Sequence, residues 1–229
     1  MESHVSIGAM TAILPLTPFP PLHWWHLATG GHGGTFQYEA NGAFQKQTLR
    51  NRMILSGPQG KIALTFPVKA RDNGKRTRDV LLYPQFAPVH SFRTLKSAYG
   101  GAPFFEHFAD ELLALWHEYL PATPENTDAD PKTLHAFNGA SIDWVAKTCG
   151  WTLQPDHLPT RAFEKNRFDL RDKQVLAGKG WEFERYTQLF EPTNGFIPRC
   201  SILDSLMTIG PAAVHEQIHQ LVREASDTH

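Results

Sequence analysis

The chain has little that would tie it to an oxidising compartment, a membrane or nucleic acid. Only two of its 229 residues are cysteine. Cys149 and Cys200 build no disulfide framework and lack metal-site spacing, so free buried thiols are expected. No apolar run approaches the roughly 20 residues that span a bilayer. The opening MESHVSIGAMTAILPL has no basic segment ahead of a continuous apolar core, so a cytoplasmic protein without a membrane span is expected. An excess of one charge is missing too. With 22 Lys and Arg against 23 Asp and Glu, the chain is not a general nucleic-acid binder, which usually carries a basic surplus. A local anion site is still allowed.

What is present is patterned as one α/β domain over residues 1–229, a length that a single core can serve before splitting. Ala12–Leu16 is a short apolar run ending in a corner of Pro15, Pro18, Pro20 and Pro21, residues that fix the backbone and remove donors. Leu22–Thr29 has helical composition, the GGHGG segment at Gly30–Gly34 ends it, and Thr35–Ala40 resumes as a strand. A strand, loop, helix, strand order predicts a βαβ unit and a partly parallel sheet. Arg52–Leu55 and Lys61–Val68 read as strands around the turn SGPQG, and Asp79–Tyr83 as another after the Asn73-Gly74 turn.

The second half reads as helices. Phe104, Phe105, Phe108, Leu112, Leu115, Trp116 and Tyr119 recur at spacings of three and four along Pro103–Tyr119, giving one long packing face. Asp130 and Pro131 read as a helix start and Gly150 as its stop, with Leu134, Phe137, Ile142, Val145 and Cys149 inward. Ser201 and Asp204 have the spacing of a capping box. Pro211 opens a last helix with Val214, Ile218, Leu221 and Val222 inward, and Pro121–Asp128 is the expected flexible connection. The fold class is therefore α/β: a mixed, mostly parallel sheet formed largely by the N-terminal half, with helices packed on it and a mainly helical C-terminal half.

The chemistry-bearing stretch is Phe44–Val68, where Lys46, Gln47, Arg50, Asn51 and Arg52 precede two β-patterned runs. Arginine can hold an oxyanion bidentately and lysine as a point charge, while amides meet hydroxyls or carbonyls. Two readings stand: a site for a phosphate- or carboxylate-bearing ligand, or a strand end charged for solubility. The basic loop Lys69–Arg78 could extend such a face. His23 and His26 lie three apart near His32, but no cysteine or carboxylate has a partner spacing, so no metal or cofactor is expected. GGHGG follows a helix instead of opening one, which makes it a connector rather than a phosphate cradle. His90 suits a general base, Glu39 is the nearest upstream acid, and Tyr99 is either a functional hydroxyl or a packed helix-end aromatic.

Four blocks, LPLTPFPP (Leu14–Pro21), KQTLRNR (Lys46–Arg52), SAYGGAPFFEHF (Ser97–Phe108) and GFIPRCSILDSLMTIGP (Gly195–Pro211), together make the chain resemble the WbqC-like family. Asn138 and the pair Asp169 and Arg171 match its pattern as well. The resemblance implies a setting among bacterial surface-polysaccharide and O-antigen genes, and transfer of glycine or another aminoacyl group to an amino sugar. It implies substrate contacts at Lys46, Gln47, Arg50, Asn51, Arg52, Tyr99 and Asp204, with His90 or Glu39 as proton acceptor. The expected partner is a small anionic substrate, a nucleotide sugar or an activated amino acid, and oligomeric state stays open.

Three departures matter. Asn41–Phe44 (NGAF) stands where the family pattern has a carboxylate and a histidine, Ser91-Phe92 occupies its histidine–aromatic pair with His90 one residue early, and Arg199 and Cys200 replace asparagine and leucine. A non-catalytic binder of a nucleotide sugar or other anionic metabolite is therefore the alternative. Asp204 either caps a helix or orients Arg50 or Arg52. LPLTPFPPLHWWH also resembles the strand-then-histidine motif of HIGH-type nucleotidyltransferases, with Trp25 in place of the glycine that lets a nucleotide approach.

Overall fold

A computed structural model describes residues 11–39, 41–69, 72–83, 88–120, 132–156, 168–179, 181 and 185–226. β1 (Thr11–Leu14) pairs in parallel with β2 (Thr35–Tyr38), Thr11 opposite Thr35 and Leu14 opposite Tyr38, and α1 (Leu22–Ala28) forms the crossover. This is the βαβ unit that the order of elements predicts. The free edge of β1 is taken by residues 168–170. Ile13 N donates to Phe168 O at 3.1 Å, Leu170 N donates to Ile13 O at 3.0 Å, and the pairing is parallel. Three parallel lanes result, with β1 in the middle. Their carboxyl ends are Glu39, the proline corner and Arg171.

The corner is held by side chains because prolines leave carbonyls without neighbouring donors. Trp24 Nε1 donates to Pro15 O and Trp25 Nε1 to Pro20 O, each at 3.0 Å. Phe19 adopts φ 44°, a left-handed conformation few residues tolerate. It is pinned there, since its N–H donates to Ser141 Oγ at 3.1 Å, its carbonyl accepts from Ser201 Oγ at 2.8 Å and its ring packs edge-on to Phe137 and Trp144.

β3 (Arg52–Gly57) and β4 (Gly60–Thr65) form an antiparallel hairpin, Arg52 opposite Thr65 and Gly57 opposite Gly60. Asp79–Tyr83 does not form the expected strand. Thr77–Asp79 is a 3-10 turn, and only isolated bridges join Leu82 to Val68 and Leu81 to Thr133. Buried Asp72 accepts from Leu81 N at 3.3 Å, which diverts a donor that a ladder would use.

The helices follow as α2 (Pro88–Tyr99), α3 (Phe105–Tyr119), α4 (Leu134–Cys149), the short α5 (Lys173–Leu176) and α6 (Glu191–Asn194), and α7 (Ile202–Ser226). The expected face of α3 is buried through Phe105, Phe108, Leu112 and Trp116. In α4 the cap is Thr133, whose Oγ1 accepts from Ala136 N at 3.1 Å. Asp130, Pro131 and the segment Pro121–Asp128 lie outside the described residues. Gly150, at φ 68°, closes α4 in the left-handed conformation. α7 breaks at Gly210, φ 80° and ψ 167°, so Pro211 opens its second segment as the sequence implies. Val214 and Ile218 are buried, while the side chains of Leu221 and Val222 lie outside the described set. The result is a mixed α/β fold with its small sheets in the N-terminal half and helices dominating the C-terminal half. No helix among the described residues is long and apolar enough to cross a membrane.

Candidate functional site

Arg50 sits where the three lanes end. The 3-10 turn Leu49–Asn51 places it there, started by Thr48, whose Oγ1 accepts from Arg50 N at 3.3 Å. The residue is 1% exposed. Its Nη2 donates to Glu39 Oε2 at 2.9 Å and to Arg171 O at 3.0 Å, tying the end of β2 to the end of the third lane. Asn138 on α4 ties in β1, with Nδ2 donating to Leu16 O at 2.9 Å and to Arg50 O at 2.8 Å. Ligands of open parallel sheets bind outside the carboxyl ends of the strands.

The guanidinium is only half used. Nε and Nη1 of Arg50 are buried and have no hydrogen-bond partner among the described residues, a costly state for polar groups. Glu39 lies over Gly42 so closely that a Cβ there would stand 2.0 Å from its Oε1. Beside them Asp169 chelates Arg171 through Nε and Nη2. That hydrogen bonding and the charges of Asp169 and Glu39 raise the Arg171 pKa. Arg171 keeps 37% side-chain exposure, which makes it a fixed cation in reach of solvent.

The remaining cluster residues divide. Lys46 and Gln47 are exposed on the preceding turn, where Gln47 adopts φ 60° and Lys46 N donates to Asn73 Oδ1 at 3.3 Å. Asn51 is buried and donates to Phe66 O at 3.0 Å, closing the hairpin base. Arg52 points elsewhere along β3 and donates from Nε to Thr65 Oγ1 at 3.0 Å. Ala70 and Arg71 of the basic loop lie outside the described residues.

His90 is exposed on the first turn of α2, where its carbonyl accepts from Thr94 Oγ1 at 3.1 Å. No hydrogen bond among the described residues joins it to Glu39 or Arg50. Ser91 is fully buried instead. His23 and His26 are also inside, 1% and 4% exposed. Burial lowers both, His23 to about 3, so they are neutral core residues at ordinary pH. His23 Nε2 donates to Leu176 O at 3.0 Å. Among the described residues no group of three metal-binding side chains could hold an ion.

Asp204 neither caps α7 nor reaches Arg50 or Arg52. Its Oδ1 accepts from Tyr99 OH at 2.7 Å, and its Oδ2 from Tyr186 OH at 2.6 Å and Gln188 Nε2 at 2.7 Å. The Leu203 N–H goes to Ser201 Oγ at 3.3 Å. Two phenols and an amide outcompete the capping role because a buried carboxylate needs several donors. Burial raises the Asp204 pKa while those donors pull it back, and burial with the Asp204 charge raises both tyrosines well above 10. Tyr99 is thus a buried core aromatic with its hydroxyl committed.

On the other side of the corner a cavity of ≈ 10 Å³, room for about one water, is lined by Thr17, Phe19, Leu49, Arg52, Arg199 and Ser201 among others. This is below the roughly 300–1,000 Å³ of pockets that enclose a drug-sized ligand. Phe19, Gln47 and Arg199 are the non-glycine residues with positive φ among those described, and two of them line it. Strain of this kind concentrates at ligand sites. Sequence reasoning matched Asn138 and Arg171 to a pattern without giving them a place, and it left out Thr17 and the cavity role of Arg199. Loop residues far apart in the chain carry no periodicity that would have joined them.

The WbqC-like protein family's model matches residues 19–154, more than half of the chain. The matched span contains Glu39, Arg50, His90, Tyr99 and Asn138 and ends before Arg171, Arg199 and Asp204. No curated protein and no solved structure matches.

Proposed function

Since the chain belongs to the WbqC-like protein family, we propose that it is a cytoplasmic transferase of bacterial surface-polysaccharide (O-antigen) biosynthesis that binds an anionic small molecule at Arg50. The group moved is glycine or another aminoacyl group, and the acceptor is an amino sugar. One observation carries the binding step. Arg50 offers two buried N–H-bearing nitrogens without a partner among the described residues, at the carboxyl ends of three parallel lanes. A carboxylate or phosphate oxygen meeting them gains charge-assisted hydrogen bonds in a low-dielectric site.

In the transfer, the amine of the acceptor attacks the acyl carbonyl and must shed a proton as the leaving group departs. In this reading Glu39 takes it through Oε1, because Oε2 is engaged by Arg50. Arg171, with its solvent-facing guanidinium, neutralises charge on the substrate. Lys46 and Gln47, on the exposed turn, meet its outer part.

A second reading is favoured by the placement of His90. Exposed on α2 and outside the hydrogen bonds of Glu39 and Arg50, it supplies no relay, which suits a non-catalytic binder of a nucleotide sugar. A thermal-shift panel of nucleotide sugars and amino acids, followed by turnover assays with activated aminoacyl donors, separates the two. A ligand specific to the native state raises its melting temperature by mass action. Stabilisation that disappears in Arg50→Gln, with acyl transfer to an amino sugar, supports the transferase; stabilisation without turnover supports the binder. No stabilisation by any anion ends both.

A further inference from the structure

Taking the lane ends as the place where an anionic metabolite is held, we infer that the diphosphate of a nucleotide-carried sugar lies just outside them, on a basic ribbon formed by residues 42–46 and 73–77. The assignment rests on the function proposed above. It moves the multiply charged part of the ligand from Arg50 to Lys46, Lys75 and Arg76.

The ribbon joins two turns that are some thirty residues apart in the chain. Phe44 N donates to Lys75 O at 2.7 Å, Gly74 N donates to Phe44 O at 3.0 Å, and Ala43 lies opposite Arg76 in an antiparallel bridge. Gly74, at φ 84°, and Lys75 thus face one residue, Phe44. This is the bulge in which a glycine in the left-handed region lets the strand bend and re-aims the side chains that follow. Phe44 turns into the core, while Lys46, Lys75 and Arg76 are exposed. Lys46 N donates to Asn73 Oδ1 at 3.3 Å, which fixes the second limb to the first.

Gly42 connects the ribbon to the candidate site. Its carbonyl accepts from both Thr77 N at 2.9 Å and Thr77 Oγ1 at 3.0 Å. On its other side it lies against Glu39, whose Oε1 a Cβ would meet at 2.0 Å. One residue therefore separates the carboxylate paired with Arg50 from the basic edge.

Charge decides which of the two places takes a diphosphate. At the lane ends each cation already has its anion, Arg50 with Glu39 and Arg171 with Asp169, so a multiply charged group there would be left uncompensated. Over residues 41–47 and 72–79 the balance differs. Lys46, Lys75, Arg76 and Arg78 stand against Asp72 and Asp79 alone. Asp72 is 1% exposed, and the Lys75 ammonium that meets it at 2.7 Å keeps 47% side-chain exposure, so its other N–H groups can still donate outward. Arg78 and Asp79 approach only to 3.8 Å in solvent, a pair of little consequence. Arg76 enters no ion pair among the described residues. Arginine grips phosphate oxygens as a fork and lysine as a point charge.

Gln47 separates a binding turn from one that is charged for solubility. It follows Lys46 at φ 60°, a conformation that glycine or asparagine takes at lower cost. Thr48 Oγ1, donating to Gln45 O at 2.8 Å, closes the turn around it. A solvated tip does not need a glutamine held this way, whereas an amide fixed beside Lys46 can meet the hydroxyls of a sugar.

The test is calorimetry on the full chain at low ionic strength, with UDP-glucosamine, UDP, inorganic pyrophosphate and uridine as probes. UDP-glucosamine and UDP are expected to bind and uridine far more weakly. Arg76→Gln, alone and with Lys46→Gln, changes exposed side chains and leaves Asp72 its lysine, so both variants should fold. The double variant should weaken UDP about tenfold or more, as the loss of charge-assisted contacts predicts, and added salt should weaken the parent more than the variant. Equal UDP affinity in parent and double variant would overturn the inference. If that affinity is lost in Arg171→Gln instead, the diphosphate sits at the lane ends and the function proposed above survives. Uridine bound as tightly as UDP would overturn it as well, and so would pyrophosphate bound without UDP-glucosamine, which would make the ribbon a site for the free anion. Binding of none of the probes would remove both readings.

Discussion

Arg50 Nη2 and Glu39 Oε2 stand 2.9 Å apart with side chains 2% and 10% exposed, so a cation and an anion eleven residues apart neutralise each other inside the protein. Removing one partner of such a pair strands the other charge. Glu39→Gln should destabilise the fold by about 3 kcal/mol, the typical penalty for an uncompensated buried ion. Adding Arg50→Met to that variant should return a large part of the loss. Urea denaturation of the two single variants and the double variant measures the coupling; additive losses would show that the pair is not a unit.

Gly42→Ala tests the same pair from the side. The new methyl would meet Glu39 Oε1 and Cδ at 2.0 and 2.2 Å, so the carboxylate must move and the contact with Arg50 is lost. We expect a stability loss of roughly 1–3 kcal/mol, as for overpacking, together with a weakened nucleotide-sugar thermal shift. A shift equal to the parent's would separate Glu39 from ligand binding.

The parts of the fold visible in the sequence are those with a period or a punctuation mark. The Phe105, Phe108, Leu112 and Trp116 face, the glycine stop at Gly150, the hairpin around SGPQG and the βαβ order each depend on neighbours in sequence, and the structure has each of them. The third lane was not visible, because residues 168–170 read FDL, too short to announce a strand. The arginine cluster showed the same limit. Arg50 and Arg52 look equivalent in a string of cations, yet a 3-10 turn running into a strand sends one into the protein beside Glu39 and the other to the opposite side of the corner. Asp204 fits a capping box by spacing alone. Its real partners, Tyr99 and Tyr186, depend on how α2 and a distant loop pack.

Acidification should expose His23. Burial lowers its folded-state pKa from 6.5 to about 3, so between these values the unfolded chain binds the extra proton. Its contribution to stability is whole above pH 6.5 and falls away as pH drops toward 3, with a slope of up to about 1.4 kcal/mol per pH unit for one proton. His26 is lowered in the same direction, also by burial. His23→Asn removes the titrating group, so its stability should decline less steeply than the parent's between pH 6.5 and 4. Parallel curves in urea denaturation would place the acid sensitivity elsewhere.

Asp204 should act with the opposite sign. Its carboxyl is raised by burial above the ordinary 3.8, so the folded state binds the proton more readily than the unfolded chain. The stabilisation linked to that proton is complete below pH 3.8 and is lost as pH rises through the folded value. Asp204→Asn leaves one acceptor oxygen for donors that came from Tyr99, Tyr186 and Gln188, and turns an amide N–H toward one of the phenols. We expect a loss of about 2–3 kcal/mol at neutral pH from the stranded donors. Because the parent alone gains from protonation, the gap between parent and variant should widen as pH falls from 7 to 4, whereas the gap between parent and His23→Asn should shift in favour of the variant. Measuring both variants over that range distinguishes a buried carboxylate that holds α2, α7 and the Tyr186 loop together from one that the packing merely tolerates: in the second case Asp204→Asn would match or exceed the parent at pH 7.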